Sequence, residues 1–426
     1  MIAQIKKGAV TYLKDLRLLT PNARKYLTGS FFIAMTFSSF MLLLNLYLRE
    51  RSYGEADIGS ILSAGAIGMT LVSVPGALIL SRVKLKPILL TANIMYPIFG
   101  LIAVYSLNFW AIWFAYLFAG MSMAFFRVAS SPFFMRNSSP KERPYLFSLS
   151  FGIMVIAGTI GSFAFGNLVH FFADNLGYDS IWAHRLAMTV GISMSLFALI
   201  PFSLLKMPKK IPAEDKLNLS KKMLLSMKGK LLRLTLPYFV VGTGAGMIIP
   251  FLNLFFRDRF GQSPDEIGYY FGVVNLTMFI GVMAGPVLVK KIGMVRTMVY
   301  SQLASIPFML ILAYSYYFPL VFVAFLFRGA LMNMGHPIGN NFAMEMVPKS
   351  FHGIVNALLM LAWTSSWMVS TKIGGIVIEN YGYTLSLNIA IVLYVISSVM
   401  YFISFRNSEK HTPDGFVVKP DFKMTP

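Results

Sequence analysis

The chain has 426 residues, 56% of them hydrophobic, and its 37 Lys+Arg against 17 Asp+Glu give a formal net charge of +20. Charged residues make up 13% of the chain, about half the share found in soluble proteins, which excludes an ordinary water-soluble enzyme. Bases scattered between long apolar blocks exclude a nucleic-acid binder, which gathers them on one solvated face, and the absence of cysteine removes disulfides, thiolate chemistry and Cys-ligated metals.

A bilayer-crossing helix needs roughly 20 consecutive apolar residues. Stretches free of Asp, Glu, Lys and Arg run Leu27 to Leu48, Ile58 to Ser81, Pro87 to Phe126, Pro144 to Ala173, Leu186 to Leu205, Leu234 to Phe256, Ile267 to Val289, Thr297 to Phe327, Gly353 to Thr371 and Asn380 to Phe405. The third is long enough for two spans and breaks near Asn108. The eighth breaks near Phe318-Pro319, and its second helix continues past Arg328 to about Met344. The pattern predicts an all-α integral membrane protein with twelve transmembrane helices. Lys6, Lys7, Lys14, Asp15 and Arg17 leave no apolar core for a cleaved signal.

Lys and Arg are retained on the cytoplasmic side of a membrane. Alternate loops with both tails collect 29 of the 37 bases, and only Arg49, Arg51, Arg185, Arg257 and Arg259 fall on the other face. Both termini are therefore expected in the cytoplasm, and the localisation is the cell's inner (cytoplasmic) membrane. The predicted organisation is an N-tail 1–26, a six-helix bundle 27–205, a basic interdomain loop 206–233, a second six-helix bundle 234–405 and a C-tail 406–426. Within the loop, Ser220 to Arg233 has apolar residues at helical spacing among lysines, which fits an interfacial helix on anionic lipid or a solvated basic linker.

The two bundles share sequence. Asn45-Leu-Tyr-Leu-Arg-Glu-Arg51, followed by Asp57-Ile58-Gly59, returns as Asn253-Leu-Phe-Phe-Arg-Asp-Arg259, followed by Glu266-Ile267-Gly268. Pro140-Lys141 and Pro348-Lys349 keep the same register. A tandem repeat of six spans implies a site between the halves, opened alternately to each side.

Twelve spans, this duplication and the short basic loops Ser81 to Pro87 and Lys290 to Arg296 resemble the major facilitator superfamily over residues 20 to 406. The family pattern Gly-x-Leu-x-Asp-Arg-x-Gly-Arg is represented by Gly76, Leu78, Arg82, Lys84 and Lys86, and in the second half by Gly285, Lys290, Lys291, Gly293 and Arg296, both without the acid. The resemblance implies a conformational role for Gly76, Arg82, Gly285 and Lys291, and the missing acid leaves the loop's charge relay open. Asn45 and Asn253, at the outer ends of their helices, read as gate or loop anchors. Gly152, Gly158, Gly161 and Gly166 are similar to the antiporter motif of drug exporters, with Thr159 and Ser162 departing from it; close helix packing through small residues is the simpler account.

Charge inside the membrane is costly and marks function. Only Arg127, Arg328 and Lys372 fall inside the spans, and no Asp or Glu accompanies them. Three cations without a carboxylate point to an anionic ligand bearing carboxylate, phosphate or sulfate. Arg328 is nine residues into the tenth helix, near the midplane, and by the resemblance faces the cavity. His336 is two turns further on and is the residue best suited to take a proton. Asn333, Asn275 and Thr364 supply neutral polar contacts on neighbouring faces. Arg127 and Lys372 also fit snorkelling to the nearer surface.

The expected function is a secondary transporter moving a small solute by alternating access, an organic or phosphorylated anion by uniport or exchange; an exporter of hydrophobic compounds or lipids is the alternative. Enzyme chemistry is disfavoured because the five histidines are dispersed and no acids pair at depth. Neither a catalytic nor a metal site is expected, and no cofactor: Gly-x-x-x-x-Gly-Lys-Ser/Thr is absent. The expected partners are a small anionic solute and the lipid bilayer, with no nucleic acid, and the chain is expected to be a monomer.

Overall fold

The computed structural model describes residues 20–80, 83–137, 143–206, 227–348, 351–412 and 415–418. Lipid offers no hydrogen bonds, so each apolar run closes its backbone N–H and C=O groups within a helix. The first six are α1 Pro21–Glu50, α2 Glu55–Leu80, α3 Leu85–Tyr105, α4 Phe109–Asn137, α5 Arg143–His170 and α6 Ser180–Phe197, the last extended by a short helix Leu199–Ser203. Then come α7 Lys228–Ile248, continued through a tight turn Ile249–Phe251 into a helix Leu252–Phe260, α8 Pro264–Ile292, α9 Met294–Ala304, continued by Ile306–Tyr314, and α10 Phe318–Glu345.

The last helical run, His352–Phe405, is 54 residues. At about 1.5 Å per residue it would span roughly 80 Å, far more than one bilayer core. It breaks at Gly382, whose φ of 80° and ψ of 171° are not helical, into α11 (352–381) and α12 (383–405). The protein is thus almost entirely helical, with eleven long apolar runs among the described residues, the last folded back on itself.

Local sequence sets the helix ends. Pro21 opens α1 behind Thr20, whose hydroxyl accepts the Ala23 N–H at 3.3 Å. Asn108, at the expected break after the third span, caps α4 by accepting from Trp110 and Ala111 N–H at 2.8 and 3.2 Å. Asp179 does the same for α6. Two boundaries differ from the apolar pattern. Helix α11 runs past Thr371 because Lys372 and Glu379 stand exposed near its end, where charged tips reach water without unwinding the backbone. Helix α7 already begins at Lys228, inside the expected linker; residues 207–226, with the first half of the Ser220 to Arg233 run, lie outside the described residues, as do Arg82 and Pro140-Lys141.

In the orientation expected from the basic loops, α1 starts and α10 ends on the inner face. In the N-terminal half α1 packs on α5 and α6, and α4 on α2 and α3; in the C-terminal half α10 packs on α8 and α9, and α7 on the 352–405 run. The halves meet along α5 with α8 and α2 with α11. Here backbone meets backbone. A Cβ on Gly375 would lie 2.1 Å from the Glu55 carbonyl oxygen, and one on Gly268 2.5 Å from that of Ser162. Further along the α5–α8 seam Gly158 faces Asn275, and the Phe151 and Phe279 rings stack at 6.4 Å.

Gly382→Ala is expected to cost about 1–2 kcal/mol, because a Cβ disfavours positive φ, and to lower the melting midpoint in detergent. Gly152→Ala is helical with nothing within 4 Å of its Cβ, and should leave the midpoint unchanged or slightly raised.

Candidate functional site

Two constellations stand out: a set of contacts joining the halves at the outer face and a crevice between them at depth. The tight turn at Ile249–Phe251 interrupts α7 and frees the Pro250 carbonyl. Asn45, 3% exposed, donates its Nδ2 to that carbonyl at 2.5 Å and to Asn253 Oδ1 at 3.2 Å. Asn253, 1% exposed, returns the gesture by donating its Nδ2 to the Leu42 carbonyl at 2.9 Å. The repeated asparagines therefore cross-bond the two halves about their pseudo-symmetry axis.

One turn outward the repeated charges complement each other. Arg49 pairs with Glu55 at 3.0 Å and reaches Asp258 at 3.7 Å, while Arg257 pairs with Glu50. Tyr383 donates to Asp258 at 2.8 Å, and the Ala56 N–H donates to Glu379 at 2.7 Å. These ion pairs are partly exposed and contribute roughly 0–1 kcal/mol each. The buried amide exchange carries more of the energy, since separating it in place strands polar groups.

At depth, Arg127 of α4 is exposed, with its guanidinium 5.4 Å from the Phe37 ring. Tyr96 of its own half and His336 of the opposite half lie near it. Both Arg127 and His336 are exposed, and their nearness across the halves sets them beside a crevice between the two bundles. The His336 ring meets Tyr238 edge-on at 6.0 Å and Trp363 at 5.6 Å, and Trp363 lies 6.0 Å from Trp367. Tyr238 donates to the His336 carbonyl and Asn340 Oδ1, both at 3.2 Å, beside Pro337. This wall of the crevice is aromatic, with polar tips.

Arg328 lies deeper. It is 5% exposed, and its Nη2 donates to the Tyr394 hydroxyl at 2.7 Å, with the guanidinium 5.9 Å from that ring. Among the described residues no carboxylate pairs with it. Asn333 donates to the Gly329 carbonyl and to Met278 Sδ, each at 2.9 Å, tying α10 to α8. Asn275 sits beside Gly158 at the α5–α8 seam. Thr364 is buried, its hydroxyl bonded to Met360 of its own helix at 3.0 Å. Lys372 is exposed toward the outer end of α11. Gly76 is buried within α2, Gly285 packs against Met334 and Ile338 of α10, and Lys291 is exposed at the inner end of α8.

The structure brings Arg127 and His336 near each other across the two halves and sets Arg328 and Asn333 on the same helix as His336, while Thr364 is buried and Lys372 exposed on α11. Sequence reasoning missed Tyr394, which carries no motif. It missed the outer ion pairs too, although alternating Arg-acid-Arg in both repeats was their signal. Gly158, Gly161 and Gly166 serve packing: their faces meet Asn275, Ser38 and Pro264.

Comparison with known proteins decides the family. The model of the Major Facilitator Superfamily matches residues 26–236 and 234–421, one repeat each. The chain belongs to the major facilitator superfamily. No curated protein matches it. Among solved structures it is similar to the nucleoside transporter NupG, at 14% identity, TM-score 0.70, covering 91% of this chain and 99% of that one. A bacterial homologue of the human lysosomal transporter Spinster, inward-facing and unoccupied, gives 13% identity and a TM-score of 0.73 over 90% and 96% of the chains. A D-xylose–proton symporter gives 15% and 0.69 over 92% and 97%. At such identities the likeness is one of fold. As a superfamily member the chain is a multi-pass membrane transporter that moves a solute by alternating access, and neither the family nor these structures are enzymes.

A double-mutant cycle tests the outer asparagines. Asn45→Ala and Asn253→Ala should each destabilise by about 1–3 kcal/mol by stranding buried partners. The double variant should lose clearly less than the sum; full additivity would show that the two amides do not act together.

Proposed function

We propose that this superfamily member carries an organic or phosphorylated anion by uniport or exchange across the cytoplasmic membrane, as a monomer with both termini inside. The observation that carries this reading is Arg328: a buried guanidinium whose described partner is a phenol, with no acid at that depth. An uncompensated buried cation costs several kcal/mol, and a bound carboxylate or phosphate removes that cost. Arg127 and His336 line the approach, and Asn333, Asn275, Thr364 and Lys372 are ranked behind them as contacts. Closed outer contacts, with Arg127 and His336 left exposed between the halves, support an inward-open state. Asn45 and Asn253 then act as the outer gate, and Gly76, Arg82, Gly285 and Lys291 as the conformational elements of the inner loops. The two bundles 27–205 and 234–405 move about the glycine seams.

Fold imposes no charge on the cargo: NupG is a nucleoside transporter and another neighbour carries D-xylose. The aromatic wall of Tyr238, His336 and Trp363 favours a second reading, export of hydrophobic compounds or lipids, in which the arginines are structural.

Melting curves of purified protein over a panel of carboxylates, sugar phosphates, neutral solutes and lipophilic cations separate the readings. A cargo present at one hundred times its Kd adds about 2.7 kcal/mol. Some anion should raise the midpoint, and Arg328→Gln should abolish that rise. Equal stabilisation by tetraphenylphosphonium would overturn the anion reading, and a response lost in Trp363→Ala but kept in Arg328→Gln would establish the second.

A further inference from the structure

The turn between α8 and α9 has no acid of its own, yet it holds one. After α12, residues Glu409–Thr412 (β1) and Gly415–Val418 (β2) pair antiparallel, with Glu409 opposite Val418. β2 packs on α8, and Val418, 5% exposed, joins the apolar cluster of Met294, Val295, Phe342, Tyr401 and Phe405. This docking aims Glu409 at the start of α9. Its Oε1 accepts the Met294 N–H at 2.7 Å and its Oε2 the Val295 N–H at 3.0 Å. First-turn amides have no partner inside their helix, and the helix dipole favours an anion there.

Gly293 is demanded twice over. Its φ of 88° is left-handed, and a Cβ on it would lie 2.8 Å from Glu409 Oε2. The matching turn of the first half has no such arrangement among its described residues: Lys84, which caps α3, makes no side-chain capping bond.

Helix α8 is the C-terminal half's contact with α5. Its outer part meets that helix through Gly268 and Gly272, and its inner end is joined to α9 through the Gly293 turn. The C-terminal half can rock as one body only if that turn is stiff. We propose that the C-terminal hairpin is a working part of the transporter, with Glu409 a positioning residue that ties the inner end of α8 to the remainder of its half. A loosened turn lets α8 yield where it should transmit motion, so the outer seam parts less often.

The absence of cysteine makes the test direct. Ser63 is buried at the seam, its hydroxyl bonded to the Met368 carbonyl of the opposite half, so the thiol of Ser63→Cys meets an impermeant maleimide only when the halves separate outside. In that background Glu409→Gln, and independently removal of residues 409–426, should slow labelling several-fold while the helical circular dichroism is retained. The exposed Arg296, in the first turn of α9, allows an acid to be restored in place: adding Arg296→Glu to Glu409→Gln should recover most of the rate. Labelling of Glu409→Gln at the parent's rate, or slow labelling that Arg296→Glu leaves unchanged, would overturn the proposal. No cargo enters the measurement, so its outcome is independent of the anion reading.

Discussion

An ionised group inside a membrane protein must be solvated by the protein, by water or by a ligand. Arg328 is the group on which this requirement falls hardest. Tyr394 satisfies one of its donors, and a neutral phenol cannot cancel a charge. A carboxylate in the same place would close the account for good and leave a static ion pair. A phenol fixes the guanidinium's position while leaving its charge uncancelled. Arg127 obeys the same requirement differently: it is exposed to the crevice, over Phe37 and in range of His336.

The distribution of acids complements this arrangement. Glu50, Glu55, Asp258 and Glu379 gather at the outer face, where they join the halves to Arg49, Arg257 and backbone N–H groups. Each such contact is individually weak because water reaches it, and weakness is a functional requirement. Two conformations that exchange must differ by only a few kcal/mol, so a gate built from strong buried ion pairs would not open. The glycine seams add the other half of the design. Close backbone approach gives dispersion and shape fit without long interlocking side chains, so the surfaces can part without repacking a core.

Much of this was legible in the residues. Apolar length gave the spans, including the breaks at Asn108 and Phe318, because lipid couples hydrophobicity to helix with little interference from tertiary context. The repeated Asn-Leu and Arg-acid-Arg segments marked the outer joint, and their reciprocal bonding follows from the duplication. The charge-free stretch ending at Thr371 is shorter than helix α11, because Lys372 and Glu379 ride on it with their side chains exposed. Tyr394 could not be found, since its partner is 66 residues away and no periodicity encodes a contact between α10 and α12.

Glu409 shows where duplication stops. The outer joint is nearly symmetric, because Asn45 and Asn253 are copies performing one exchange in two directions. At the inner end the α8–α9 turn receives a carboxylate from a segment that follows the last span. Copies of a six-helix unit confer identical loops, so any difference between the two inner turns must come from later sequence change or from elements outside the repeat. Both turns lack the acid in their own sequence, and at the second it is supplied by the tail. The acid's bonds need Gly293 free of a Cβ and Val418 anchored among Met294, Val295 and Phe342, two conditions far apart in sequence that only the folded chain brings together.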